Sequence, residues 1–553
     1  MGEEGGGRSC GTTRELQKLK QQAMEYYREN DVPRRLEELL NSTFYLQPAD
    51  VYGHLANCFS KLAKPPTICK VVGKNVLDGL GLPTLQVEIF CTIQNFPKNI
   101  CSVVISTHFE VHENASRELV EAEELERLDA VSTAVQWVNE TITEELQGLV
   151  PSDQAEVDQV LRTFFENKVQ EDKERKELEK NLEDSTVLSP QPPPPPPPSK
   201  KKGQKQGRME TAAEKPIIPA EPPEPVLCGS MAIGAVSLAV AKTSAVLDNN
   251  PLYLNIALLK HHQEQPEKLT IPLLMVSLVS CGKSSPGKLN LMKEVICIPH
   301  PGLTAKQGVE MLLEIQKHIN KAVEMSPPPK PEMRKSHDGG KRGQSKGKYE
   351  VMMGTYKNAA EMVDLYVDLI NKFPSITALI DPFRKEDSEQ WDSIYNALGS
   401  RCYIIAGTAS KSISKLLEEG NISILKYSGL IIKHTNQTTM SDLVEITNLI
   451  DGKKHIAVFG TTEGESSDDS LVDLAVGLGV RFIKLGGLSR GERVTKYNRL
   501  FTIEEELGQN GTLGFNEEHT FFNWNEEAEK AGELPEVPEP IFPTQVAEEL
   551  AKL

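Results

Sequence analysis

Two lysines close short apolar runs in the C-terminal half of the chain: Lys433 ends GLIIK, and Lys484 lies in RFIKL. Either alone reads most simply as a strand-end lysine whose stem covers apolar surface and whose ammonium group reaches water. Placed together at the strand ends of one pocket they allow more. A lysine accepts a proton only as the neutral amine, and desolvation or a cationic neighbour lowers its pKa towards that state. The run carrying Lys484 turns through Gly486 and Gly487 into a helix, for which Ser489 and Glu492 predict a capping box. Val494, Tyr497, Leu500, Phe501, Ile503 and Leu507 recur at helical spacing as a buried face, with Gly508 as the stop. This is a strand, a glycine turn and an amphipathic helix. In βα barrels and open α/β sheets, the loops at the strand's C-terminal end converge on the pocket where chemistry occurs.

The elements that must position these lysines follow from the pattern after Leu269. Seven strand-like runs (IPLLMVSLV, EVICIP, ITALI, CYIIAG, GLIIK, HIAVF, RFIKL) alternate with helical stretches over residues 304–324, 357–372, 386–398, 410–419, 439–450, 466–478 and 490–507. That alternation predicts an α/β fold with a parallel sheet, and with so many repeats a (β/α)8-type barrel. Seven strands is one short, and a closed barrel couples strand number, stagger and tilt. The gap falls between Met325 and Lys348, where the chain is basic, rich in proline and glycine, and not strand-forming.

Upstream, residues 1–66 predict a helical module striped by Leu16, Leu19 and Met24, then Val32 to Leu40 and Ala49 to Leu62. So short an amphipathic set must dock on the main body or pair with another chain. Residues 67–170 read as an α+β domain with strands at LPTLQVEIFCTI and NICSVVIS and a helix over Val131–Leu149. Residues 171–225 are a proline- and lysine-rich linker, whose polyproline run makes an extended spacer that a partner groove could read. Residues 226–268 return to a buried helix, GSMAIGAVSLAVAKTSAVL; 269–510 form the barrel, interrupted over 326–348; and 511–553 are an acidic tail expected to be surface-packed or disordered.

The 553 residues carry a net charge of -18, which argues against nucleic-acid binding. Nine cysteines without a C-x-x-C pair fit a reducing compartment. No run approaches the ~20 apolar residues of a membrane span, and the first residues lack signal-peptide features, so the cytoplasm is the expectation. Ala551-Lys552-Leu553 has the look of a peroxisomal address, a pattern common by chance.

The segment with Lys484, Arg490, Glu492, Arg493, Lys496, Tyr497, Asn498 and Ile503 to Gly508 resembles the C-terminal signature of the enolases, the phosphopyruvate hydratases. The likeness continues over roughly residues 70–168 and 226–510, where Pro83-Thr84 falls in the family's N-P-T-V-E-V strand. Within the family it is nearest the long, divergent, sperm-type branch. Separately, VPRRLEELL…LQPADVYGHLANCFSKLA resembles the helix-loop-helix dimerisation module of regulatory kinase subunits and flagellar proteins.

The enolase resemblance implies an α+β N-terminal domain before the barrel, homodimers, a cytoplasmic or sperm-flagellar setting, and reversible dehydration of 2-phosphoglycerate to phosphoenolpyruvate. It implies Lys433 as proton acceptor, Lys484 on the substrate carboxylate and Glu294 on the substrate side. Magnesium is the expected cofactor, yet the ligands depart from the family pattern. The magnesium glutamate of S-I-E-D-P-F is Ile380, one aspartate falls in Gly407-Thr408, and the third ligand belongs to the missing strand. Isoleucine and glycine offer no carboxylate oxygen to a hard ion. Asp381 stands next to Ile380 and, by the strand period of two, is expected to point the other way. The phosphate-binding S-H-R-S-G-E becomes Gly460-Thr461-Thr462-Glu463-Gly464-Glu465, the active-site histidine aligns near Ser285, the mobile serine loop becomes THFEVHENAS, and Asp338-Gly339-Gly340 faintly echoes the G-D-E-G-G loop. The expected activity is therefore weak, with a non-catalytic scaffold as the alternative.

Overall fold

All seven barrel runs are strands in the computed structural model, which describes residues 9–106, 117–186, 227–280, 292–325, 348–352, 355–407, 412–420, 426–461 and 465–521. The chain divides into two units, Met1–Thr67 with Cys91–Lys98, and Ile68–Phe90 with Asn99–Leu553.

The N-terminal unit holds α1 (Ser9–Glu29), α2 (Val32–Leu46) and α3 (Val51–Leu62). Asp50 starts α3 by accepting a hydrogen bond from Gly53 N at 2.8 Å, which satisfies one of the helix's free amides. Neither α2 nor α3 contains a buried residue, and their apolar stripe is open, with Leu40 60% and Phe44 71% exposed.

The α+β part of the chain contains the three-stranded sheet β1 (Thr67–Leu77), β2 (Pro83–Ile93), β3 (Phe96–Val104), in that order. β1 lies outside the sequence expectation, because TICKVVGKNVL interleaves lysine and asparagine with its apolar residues and hides the alternation. The single helix expected over 131–149 is instead α4 (Arg117–Trp137), a π-turn at Val138–Ile142 and the short α5 (Thr143–Glu145). The wider turn carries Asn139, whose side chain accepts from Gly73 N at 2.9 Å and donates to Gly73 O at 3.0 Å. α6 (Gln154–Thr186) runs beyond the expected domain end at 170, so the first residues assigned to the linker are helical. α7 (Met231–Leu247) is apolar all round and accordingly buried, and α8 (Leu252–Lys260) packs with it. No single helix among the described residues is long and apolar enough to cross a membrane; α7 and α8 together pass that test only as a pair bent by 108°.

The barrel follows β4 (Leu269–Thr270): β5 (Leu273–Ser280), β6 (Glu294–Cys297), α9 (Ala305–Met325), the hairpin β7 (Tyr349–Met352) and β8 (Thr355–Lys357), α10 (Ala359–Lys372), β9 (Ala378–Ile380), α11 (Ser388–Leu398), β10 (Tyr403–Ala406), α12 (Ile413–Glu419), β11 (Gly429–Ile432), α13 (Met440–Gly452), β12 (Ile456–Gly460), α14 (Ser470–Gly477), β13 (Phe482–Gly486), α15 (Gly491–Asn510) and β14 (Leu513–Gly514). The sheet order is β6-β5-β13-β12-β11-β10-β9, parallel except for β6, which runs antiparallel to β5. It curls as a barrel does, but among the described residues β6 and β9 are not joined. The interval 326–347, in which the sequence predicts the gap, lies outside the described residues.

Leu273, Met275, Tyr403, Ile405, Val458 and Phe482 form the inner core, their period of two sending alternate side chains inward. Part of the expected acidic tail packs against it. β14 pairs with β4, Phe521 lies 4.7 Å from the Tyr403 ring, and His519 stacks on Phe482 at 6.0 Å. The start of α15 also differs from expectation. Ser489 makes no cap; Arg490, at φ 84, occupies the N-cap and pairs with Glu492 at 2.5 Å. The helix runs past Gly508 to Asn510 and stops at Gly511, whose φ of 70 suits glycine.

Candidate functional site at the strand ends

Parallel strands deliver their C-terminal ends to one rim, and the expected residues sit there. Lys484 is within β13, and its Nζ lies 2.8 Å from Glu294 Oε2 at the start of β6. Because β6 runs antiparallel to its neighbour, its first residue, not its last, reaches this rim. Ser277 on β5 donates to the other oxygen of Glu294. The glutamate is thus held by a hydroxyl and an ammonium group, while both charged side chains keep about a quarter of their surface open.

Lys433 follows β11 directly. Gly460 at the end of β12 is in register with Lys484, and a Cβ built on Gly460 would lie 3.7 Å from Lys433 Cε. Lys433 therefore lies alongside the bare backbone of the strand that separates the two lysines. Two strand spacings, about 10 Å, part β11 from β13.

Behind this half of the rim lies a buried ionic network. Glu465, 3% exposed by side chain, accepts from Arg493 Nε at 3.1 Å and Lys496 Nζ at 3.3 Å. Lys496 is 1% exposed and also donates to Ser466 O and Glu492 O. Burial pushes the Lys496 pKa down, against the pull of Glu465. Arg493 packs so closely on Gly486, at φ 80, that a Cβ there would be 2.8 Å from the guanidinium carbon. Glu465, the last residue of the segment at the family's phosphate position, is accordingly a buried structural partner. The network was legible in part: Glu492 and Lys496 share the helical face of Leu500 and Ile503, and charge on a buried face calls for partners.

The other half of the rim is different. Ile380 ends β9 and packs against the inner core, as an aliphatic side chain would. Asp381 does not point away as expected. Its φ of 48 breaks the strand period, and its Oδ1 accepts from Gly407 N at 2.8 Å at the end of the neighbouring β10. Its carboxylate thus turns towards the rim, where the missing Cβ of Gly407 leaves it space; a Cβ there would be 2.9 Å from Asp381 Oδ2. Among the described residues no group of three or more His, Cys, Asp or Glu side chains is arranged to hold a metal. Of the expected magnesium positions, 380 and Gly407-Thr408, the described Ile380 and Gly407 supply no side-chain donor, so these two residues do not fit the ion. Thr408, Thr462 to Gly464, Ser285, THFEVHENAS, Asp338 to Gly340 and the linker from 187 to 225 lie outside the described residues.

A family model described as the enolase C-terminal TIM barrel domain matches residues 338–520. Human Enolase 4 is 75% identical to this chain, over 100% of the chain and 99% of its own length, and mouse Enolase 4 is 66% identical over the full length of both. Cytosolic enolase 3 of Arabidopsis thaliana is 24% identical over 88% of this chain and 96% of its own. The human alignment runs over 619 positions against the 553 residues here, so at least 66 of them face no residue of this chain.

Proposed function

The chain belongs to the enolase family, and on that premise we propose that it is an enolase-type protein with weak turnover of 2-phosphoglycerate to phosphoenolpyruvate and water. The observation that carries this is the rim itself. Lys433 stands at the end of β11, two strands from a Lys484–Glu294 pair at 2.8 Å. In this reading Lys433 accepts the C2 proton. Lys484 exchanges Glu294 for the substrate carboxylate, and Glu294, freed on the substrate side, keeps its bond from Ser277. Removing the proton leaves an intermediate with added negative charge. The family meets that charge with magnesium held by carboxylates, and Ile380 and Gly407 bring none, so the barrier stays high and turnover is low.

A second reading, a non-catalytic scaffold, is supported by the open apolar stripe of α2 and α3, which suits pairing with another chain through residues 12–64. Homodimers and a sperm-flagellar setting belong to this proposal through the resemblance, and a cytoplasmic setting and a partner for the proline linker through composition. Phosphoenolpyruvate formation by the purified protein, beside a Lys433→Ala variant prepared identically, separates the readings. Slow turnover lost in the variant supports the enzyme. Equal turnover in both removes Lys433 from its role, and no turnover from folded protein leaves the scaffold.

A further inference from the structure

The segment that begins with Lys433 is held by a group far from it in sequence. Lys433 to Thr439 link β11 to α13, and a seven-residue link of this kind takes its shape from the points at which it is tied. One end is fixed by the sheet. In the middle, Gly234 N on α7 donates to Asn436 O at 2.9 Å. The approach is so close that a Cβ on Gly234 would lie 2.6 Å from Asn436 O and 2.9 Å from Thr438 O.

The far end is tied by Asp158 on α6, which is 1% exposed. Its Oδ2 accepts from Ser441 N at 2.9 Å and Ser441 Oγ at 2.7 Å, in the first turn of α13. Its Oδ1 accepts from Ser237 Oγ at 2.6 Å and Gln154 Nε2 at 2.9 Å. Ser237 Oγ in turn accepts from Met440 N at 2.9 Å. No side-chain cation pairs with Asp158 among its hydrogen-bond partners, so four donors and the start of a helix hold the carboxylate. Burial raises its pKa and the donors from Ser237 and Ser441 lower it. So costly a group to bury, with three of its four bonds directed at the start of α13 or at the Ser237 that shares it and the fourth from Gln154 one turn back on α6, serves geometry.

We propose that Asp158 is a positioning residue for Lys433, fixing the start of α13 and through it the segment that presents the lysine to the rim. The proposal rests on Lys433 as the proton acceptor, but its test does not need turnover. Full-length protein and the variants Asp158→Asn and Ser441→Ala are labelled with trace acetic anhydride across the lysine titration range. The midpoint of each lysine is then read by mass spectrometry. Asp158→Asn is expected to move the Lys433 midpoint by about 0.5 pH unit or more, as a change of surroundings at one amine does, with Lys484 unmoved and Ser441→Ala giving a smaller shift. An unchanged Lys433 midpoint overturns the proposal. So does an equal shift at Lys484, which marks general loosening. If Asp158→Asn does not fold, Ser441→Ala decides alone by the same criteria. A Lys433→Ala variant that keeps full turnover would sink the catalytic role while leaving the labelling result standing, so the two failures are distinguishable.

Discussion

Lys433, directly after β11, and Lys484, within β13, are backed by buried polar and ionic groups from α6, α7 and α15. Ile380 and Gly407, at the ends of β9 and β10, are backed by the aliphatic core and one turned carboxylate. Both halves of the rim are built on parallel strands of one sheet, in the order β5-β13-β12-β11-β10-β9, with a register shift between Lys484 and Gly486 where β13 pairs β5. What differs is how much of the fold depends on the rim chemistry. Each strand keeps its place through alternating apolar residues, so a rim residue can change without moving the strand that carries it. On the lysine side, however, the supporting groups are charged and buried, and their loss would be felt by the whole unit.

The comparison breaks most sharply at Lys496. Lys496→Ala leaves Glu465 buried with only Arg493 as cation, and a stability loss of about 3–5 kcal/mol is expected in denaturant melts. A change below 1 kcal/mol would mean that the network is not what secures this half.

Acid tests the same side. His434, next to Lys433, is buried, and burial pushes its pKa down to about 4 from 6.5, although the carbonyls of Gly234 and Thr438 favour the charged form. A depressed pKa means that the unfolded chain binds the proton first. Stability is therefore expected to fall as pH drops from 6.5 towards 4, by up to about 3 kcal/mol from this group. In His434→Phe that component of the slope should vanish; an unaltered slope would assign it to the carboxylates.

The β9–β10 side should respond more weakly. Gly407→Ala places a Cβ 2.9 Å from Asp381 Oδ2 and 3.1 Å from Ile431 Cδ1. The turned carboxylate must then shift, at about 1–2 kcal/mol. A loss as large as that of Lys496→Ala would erase the contrast between the halves.

The smallest effect belongs to the half-buried Lys484–Glu294 pair on the rim. Glu294→Gln removes the partner of Lys484, and because both side chains are partly open to solvent, stability should change by less than about 1 kcal/mol. Acetylation of Lys484 should nevertheless quicken, while Lys433 keeps its rate. Equal rates before and after would show that the ion pair is not populated in solution.

Much of this was legible beforehand. The seven strand runs, the buried α7 and the placement of the two lysines on the sheet were all written in periodicity, which is a local property. The family signature along α15 was equally local. Position 380 was also readable, since isoleucine has no donor whatever its surroundings.

Other features were decided only when distant segments met. The turn of Asp381 towards the rim needs both its positive φ and the bare Gly407 of the next strand. Nothing in the spacing pairs Asp158 with Ser441, 283 residues away, or Glu465 with Lys496. β1 emerged from a run too polar to signal itself, and Phe521 packs against the inner core from a tail that composition alone marked as surface-packed or disordered. Sequence determined which residues can alternate inward and which chemistries each position can offer. Tertiary structure decided which buried charges share a partner, because burial and distance are properties of pairs and no single segment contains them.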